Sequence, residues 1–161
     1  FLFENGYNIL WEWDDDQFVH RYSFDFGRYT LESGENDEER LFKAMGDKGM
    51  WTIRWLVGNE NYLSFNALFQ PPSVKTDDDV KIYHLVYDRK SKRTLRISNG
   101  DIREEFRYTF AIDEDNNLYM VGSPVHLADW VPWKSYTEKE GISVKIDDNP
   151  IIFKVDLDKL F

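Results

Sequence analysis

The chain contains no cysteine among its 161 residues. This absence excludes disulfide bonds, thiolate metal sites and a cysteine nucleophile, but it does not settle the cellular compartment. No run of about 18 consecutive apolar residues occurs, so no membrane-spanning helix is predicted. Basic residues are scarce, because 20 Lys and Arg stand against 30 Asp and Glu, for a formal net charge of −10. Such a charge argues against binding to nucleic acid or to an anionic membrane surface.

Catalytic motifs are also missing from the sequence. There is no G-x-S-x-G, H-E-x-x-H or phosphate-binding loop, and none of the three histidines is paired with a serine motif. Residues 113–117 begin like a calcium loop, but Leu118 and Pro124 stand where that loop needs Gly and Glu. We therefore predict a protein that is not an enzyme and needs no metal or other cofactor. A glycoside hydrolase with two paired carboxylates stays open, because 30 acidic residues supply many pairs.

Aromatic residues are abundant, with 6 Trp, 9 Tyr and 12 Phe. Aromatic side chains favour β-strands. In residues 18–26 they recur at every second position, which predicts a half-buried strand that carries five rings on one face. Asp14, Asp15 and Asp16 predict a turn just before it.

Further short strands alternate with turns along the rest of the chain. A basic turn at 88–93 predicts a β-hairpin. Residues 36–46 favour a short helix that ends before Gly46, and the alternative is a turn followed by a strand at 41–45. About ten strands result, and this pattern predicts an all-β chain, an antiparallel β-sandwich of immunoglobulin-like or carbohydrate-binding-module-like type with at most one short helix. The other predicted strands are 7–13, 51–57, 62–69, 81–87, 94–98, 106–112, 118–121, 143–146 and 151–157.

The segment after residue 117 carries the functional prediction. Residues 118–121 predict a buried strand, Gly122 breaks it, and a loop with Trp130 and Trp133 on either side of Pro132 follows. A proline-spaced tryptophan pair suits a rigid, flat surface on which the C–H face of a sugar ring can lie. Alternatively, one tryptophan folds back and closes the end of the sandwich. The polar side chains that can bind the sugar hydroxyls include Lys134 and His126.

Several segments resemble a known family. Residues 118–122, Leu-Tyr-Met-Val-Gly, followed by Asp129 and Trp130, resemble the opening strand and G-W loop of the repeated domains in SusE/SusF-type starch-binding lipoproteins of gut bacteria. Asp129 stands where those domains usually have glycine. Residues 150–157 are similar to the next strand of such a domain. A further region of the family runs from a strand through G-E and F-K-F motifs to a Trp, and it is similar to residues 29–31, Gly34-Glu35, 41–43 and Trp51.

The resemblance implies a noncatalytic protein that binds a glycan such as an α-glucan at the outer face of the bacterial outer membrane. Its partners would be outer-membrane glycan-uptake proteins, and a lipid anchor outside this chain would hold it to the membrane. The family's ligand site maps onto Trp130 and Trp51. Residues 1–112 would form one β-sandwich module that lacks its first strand, and 113–161 would begin a second module or close the first. The alternative function is a structural or protein-interaction domain of a cell-surface lipoprotein.

The chain begins at Phe1 without an initiator methionine. This start is compatible with the removal of a signal peptide or an upstream region.

Overall fold

The structure is a computed structural model that describes residues 2–4, 9–29, 43, 46–73, 79–97, 108–124, 131–143, 145 and 147–161. Its strands form three antiparallel sheets, each built from strands in chain order, which confirms the predicted all-β class. The sheets are β1-β2-β3, β4-β5-β6-β7 and β8-β9-β10. The ten strands in the described ranges are β1 (Leu2–Glu4), β2 (Ile9–Asp14), β3 (Gln17–Ser23), β4 (Met50–Gly58), β5 (Tyr62–Gln70), β6 (Lys81–Asp88), β7 (Arg93–Arg96), β8 (Tyr108–Ile112), β9 (Asn117–Gly122) and β10 (Ile151–Asp156).

Polar turn residues define where strands end. Between β4 and β5, the Asn59 side chain accepts hydrogen bonds from the backbone N–H groups of Asn61 and Tyr62, each at 2.9 Å. Between β6 and β7, the Asp88 side chain accepts the Lys90 N–H at 2.9 Å and closes the predicted basic turn. Asn and Asp are frequent in turns because their side chains bind nearby backbone N–H groups in this way.

The chain divides into two compact units, and the first comprises Phe1–Leu56 and Phe65–Tyr83. Its centre is aromatic: the Trp51 ring stacks on Phe26 with centroids 5.2 Å apart and an interplanar angle of 9°. Phe69 and Tyr83 flank the same indole at 5.1 and 5.7 Å. Apolar side chains complete the core of this unit, and those buried within it are Leu10, Ile53, Phe65 and Ala67.

The second unit comprises Val57–Ser64 and His84–Phe161. Its core lies between two sheets, because side chains from β4, β5 and β6 meet side chains from β8, β9 and β10. Two facing sheets with one apolar layer between them are the arrangement of a β-sandwich. The buried members of this core are Tyr62, Val86, Leu118, Met120 and Leu157.

The predicted half-buried aromatic face of residues 18–26 is wrong in its first half. Phe18 and His20 are exposed, and β3 ends at Ser23. The register shows why: Leu10 pairs with Tyr22 but Trp11 pairs with His20, so one extra residue of β3 lies between the two pairs. Such a bulge interrupts the alternation of faces on which the prediction relied. Phe24 and Phe26, beyond the strand, are the rings that pack in the first unit.

The prediction of a loop that carries Trp130 and Trp133 is also wrong for the second half of that segment, because Val131–Glu140 is an α-helix. Pro132 is tolerated there because the N–H groups of a first helical turn have no helical partner. The helix ends at Glu140, and Gly141, whose φ is 66°, follows it. Gly141 N–H binds the Glu138 carbonyl at 3.4 Å and Ile142 N–H binds the Thr137 carbonyl at 2.9 Å, which is a Schellman cap.

Of the predicted short helix 36–46, the structure describes only Lys43 and Gly46, and both are helical. Helical residues continue to Lys48, beyond the predicted end, and Gly49 with a φ of 81° follows them. The predicted strand 143–146 is not formed at Ser143 and Lys145, the two of its residues that the structure describes. β8 ends at Ile112 and pairs with β9, which begins at Asn117. The division of the chain at that residue stays a prediction.

Candidate functional site

The hairpin of β2 and β3 is closed by the acidic turn that the sequence predicted. Asp14 pairs with Gln17, so only Asp15 and Asp16 form the loop, and their φ angles are 44° and 61°. Two positive φ values in a two-residue loop match the right-handed twist of the adjoining strands, and Asp tolerates this conformation better than most side chains. The turn thereby fixes which residues of the two strands face each other.

Aromatic side chains occupy one face of this hairpin. Trp13 pairs with Phe18 and Trp11 pairs with His20, and directly paired residues share a face. Trp13 and Phe18 meet edge to face, with centroids 4.9 Å apart and planes at 77°. Trp11 and His20 are tilted at 50° with centroids 5.5 Å apart. We call these four residues the aromatic hairpin face.

Much of the aromatic hairpin face is open to solvent. Trp13 is 55% exposed and Phe18 is 49% exposed, although large apolar rings normally seek burial. Trp11 is half-buried, and the His20 ring is held by Ser23, whose Oγ lies 2.9 Å from Nε2. Exposed apolar patches of this kind are common on surfaces that a ligand or a partner covers.

Close to the turn, the opposite face of the hairpin carries charged side chains. Glu12 and Asp14 alternate with the tryptophans, and both carboxylates pair with the Arg21 guanidinium, Glu12 at 3.1 Å from Nε. Because Arg21 is the extra residue of the bulge, its side chain can reach both acids. The hairpin therefore separates a charged face from an aromatic one.

The structure describes only part of the sequence-predicted site. Trp130 and His126 lie outside the described residues, and so does the side chain of Trp133, whose backbone is helical. Lys134 is exposed on the helix Val131–Glu140. Trp51 is half-buried among aromatic rings of the first unit. Their role in ligand binding stays a prediction.

A serine–histidine pair is present that the sequence did not indicate. Ser64 Oγ lies 2.8 Å from His84 Nε2, in the second unit. Both side chains are buried, His84 Nδ1 has no hydrogen-bond partner among the described residues, and burial lowers the pKa of His84 to about 4. A catalytic pair needs access to substrate and a third group that orients the base. This pair has neither, so we interpret it as a structural contact.

Oxygen-rich side chains also cluster at the turns of the second unit. The Asn116 side-chain NH₂ donates to Asp158 at 3.1 Å, and the Asn59 and Asn61 side chains donate to Asn116 Oδ1 at 2.9 and 3.0 Å. Asp113 accepts the Asn117 backbone N–H at 2.8 Å, which lowers the pKa of its carboxyl. The polar groups satisfy one another, and in the described residues no group of three or more His, Asp or Glu is placed to hold a metal ion.

Tyr62 joins this cluster, because its hydroxyl donates to Asp158 Oδ1 at 2.9 Å. Burial, this bond and nearby carboxylates raise the pKa of Tyr62 to about 12. We expect Tyr62→Phe to lower the free energy of unfolding by about 1 kcal/mol. The raised pKa adds stability that is present below pH 10 and is lost as pH rises toward 12, so the variant should lose less stability in that range.

Urea unfolding at neutral pH and above pH 10 measures both effects of Tyr62→Phe. The control is Tyr136→Phe, because Tyr136 is 51% exposed on the helix Val131–Glu140. Equal alkaline losses in the Tyr62 variant and in the unmodified chain would contradict the assignment.

Comparison of the chain with family models, with curated proteins and with solved structures gives no match in any of the three. In the part of the chain that the structure describes, no helix is both long enough and apolar enough to span a bilayer.

Proposed function

We propose that this protein binds carbohydrate without chemical conversion, and that the aromatic hairpin face is the binding surface. The observation that carries the proposal is the exposed pair of Trp13 and Phe18, 55% and 49% exposed on one face of an ordered hairpin. Sugar rings present an apolar C–H face that lies flat against an aromatic ring. The binding residues thus come from β2 and β3.

The spacing of the rings supports a polymeric or oligomeric ligand. Trp11 and Trp13 are two residues apart on β2, about 7 Å along the strand. A chain of sugar rings can therefore contact both pairs at once, whereas a monosaccharide reaches one. Affinity for a single chain would be modest, about micromolar to millimolar. Several modules on one polymer would raise the retention through multivalency.

The resemblance to SusE/SusF-type lipoproteins extends the proposal to location and partners. In that family setting the protein acts at the outer face of the outer membrane, beside glycan-uptake proteins, with an α-glucan as one candidate ligand. Trp130 and Trp51 are then the family-derived site residues, to be compared with the aromatic hairpin face by substitution.

We expect Trp13→Ala to weaken glycan binding about tenfold or more, since loss of a central aromatic contact typically costs over 1 kcal/mol. Isothermal titration calorimetry of the full chain against soluble gluco-, manno- and galacto-oligosaccharides measures this loss. The matched control is Tyr136→Ala, because Tyr136 is also exposed, at 51%, but lies on the helix Val131–Glu140. Trp130→Ala is titrated in parallel.

The outcomes separate the two candidate surfaces. Loss of binding in Trp13→Ala alone supports the hairpin, whereas loss in Trp130→Ala alone moves the site to the predicted tryptophan segment. An unchanged unfolding midpoint in each variant shows that the fold persists. If the unmodified chain binds no glycan in the series, the carbohydrate proposal fails.

A protein-interaction domain is the second candidate function. The observation that favours it lies in the second unit, where Ile152 on β10 is 62% exposed and Phe110 on β8 is 50% exposed. Exposed apolar side chains on a sheet are typical of surfaces that a protein partner covers. This candidate predicts that Phe110→Ala and Ile152→Ser leave glycan titrations unchanged.

A further inference from the structure

The turn at the end of the aromatic hairpin face carries net negative charge. Residues 9–23 contain four acids against one cation, for a formal charge of −3. Glu12 and Asp14 are paired with that cation, Arg21. The remaining acids, Asp15 and Asp16, form the turn itself.

The carboxylates of Asp15 and Asp16 are not neutralised. Both residues are exposed, and no cation in the described part of the chain forms an ion pair with either of them. Their positive φ angles, 44° and 61°, belong to the turn, which is separated from the Trp13–Phe18 pair by the single pair Asp14–Gln17. Two negative charges that form no ion pair with a described residue therefore lie one residue pair along the hairpin from two exposed aromatic rings.

We infer that the aromatic hairpin face selects glycans that carry protonated amino groups, which are amino-sugar oligomers, over neutral and acidic glycans. This inference rests on the proposed carbohydrate function and adds the charge of the ligand. An ammonium group is attracted to the face of a tryptophan or phenylalanine ring. The same group gains Coulomb energy from Asp15 and Asp16, while the carboxylates of a uronic-acid oligomer are repelled.

The turn offers a substitution that changes charge and little else. Asn shares with Asp the tolerance for positive φ and is common in two-residue hairpin loops, so Asp15→Asn with Asp16→Asn preserves the turn. A matched control is Glu114→Gln with Asp115→Asn, because these two acids are also exposed in a turn, between β8 and β9 of the second unit. Both double variants remove two negative charges from the protein.

The experiment titrates the full chain with four soluble oligomers of equal length: glucosamine, N-acetylglucosamine, glucose and galacturonic acid. The pH is kept below the pKa of the amine, and the ionic strength is low. We expect the glucosamine oligomer to bind about tenfold more tightly than the glucose oligomer. The preference should disappear in the Asp15/Asp16 variant and persist in the Glu114/Asp115 variant. High salt should also reduce it, because exposed charges are screened.

Three results would overturn the inference, and they are distinguishable from failure of the proposed function. Equal binding of the glucose and glucosamine oligomers, abolished by Trp13→Ala, leaves the carbohydrate site intact but refutes selection by charge. A lysine peptide that binds as tightly as the glucosamine oligomer refutes glycan selectivity and indicates a general cation site. No binding of any oligomer refutes both proposals.

Discussion

Gly49→Ala is expected to lower the free energy of unfolding by about 3 kcal/mol, because two separate costs add. A Cβ at this position would lie 2.6 Å from the backbone carbonyl oxygen of Gln70 and 3.1 Å from the Phe69 ring. A backbone oxygen in β5 cannot rotate away as a side chain can. The φ of 81° adds a conformational cost for any residue that has a Cβ.

Gly46→Ala is the matched control for the Gly49 substitution. Gly46 is helical, and a Cβ there would meet nothing within 4 Å. Alanine is the better helix former, so this variant should gain up to about 1 kcal/mol. Urea unfolding of the two variants, three positions apart in the chain, measures both changes. A loss at Gly49 no larger than the change at Gly46 would show that neither the contact nor the backbone angle constrains this turn.

The second large expected effect is a loss of folding stability at acidic pH, caused by His84. Burial lowers the pKa of His84 from 6.5 to about 4, so the folded protein holds the neutral imidazole while the unfolded chain takes up a proton at higher pH. The full stability is therefore present above pH 6.5 and falls as pH decreases toward 4. A shift of this size corresponds to about 3 kcal/mol of unfolding free energy over that interval.

His84→Gln removes the titrating group and should flatten the stability profile between pH 6.5 and 4. Its neutral-pH stability should fall somewhat, because the contact between Ser64 Oγ and His84 Nε2 is lost. The control is His20→Gln, since His20 is exposed on the hairpin and its loss should leave the profile steep. The carboxyls of Asp88 and Asp113, whose pKa values are lowered from 3.8, act at more acidic pH. An unaltered slope in His84→Gln would exclude His84 as the source of acid sensitivity.

The sequence pattern predicted strands at the positions of β2 to β10, with ends that differ by a few residues, but it did not predict β1. It also predicted the acidic turn between β2 and β3 and the basic turn between β6 and β7. It did not predict the bulge in β3, because an extra residue leaves no mark in composition. The helix Val131–Glu140 could have been predicted from the proline in its first turn and from Gly141 beyond its end. The segment was instead predicted to be a loop because of its two tryptophans.

Only part of the candidate site could be predicted from the sequence. Trp11 and Trp13 share a face because they are two residues apart on one strand, but alternation does not tell whether that face is exposed. The pairing of Trp13 with Phe18 depends on a loop of only two residues, and Asp-Asp is less diagnostic of such a loop than Asn-Gly or Asp-Gly. Burial arises from contacts between distant segments, and a single sequence does not contain them.

The aromatic hairpin face can form early during synthesis of the chain. All its rings come from residues 9–23, so no long loop has to close before the surface exists. A hairpin of this size can form in about 1–10 microseconds, far ahead of sheets that join remote strands. Exposed tryptophan and phenylalanine would therefore appear early during synthesis, when neighbouring chains are also incomplete. The charge at the turn would then oppose premature association between nascent chains.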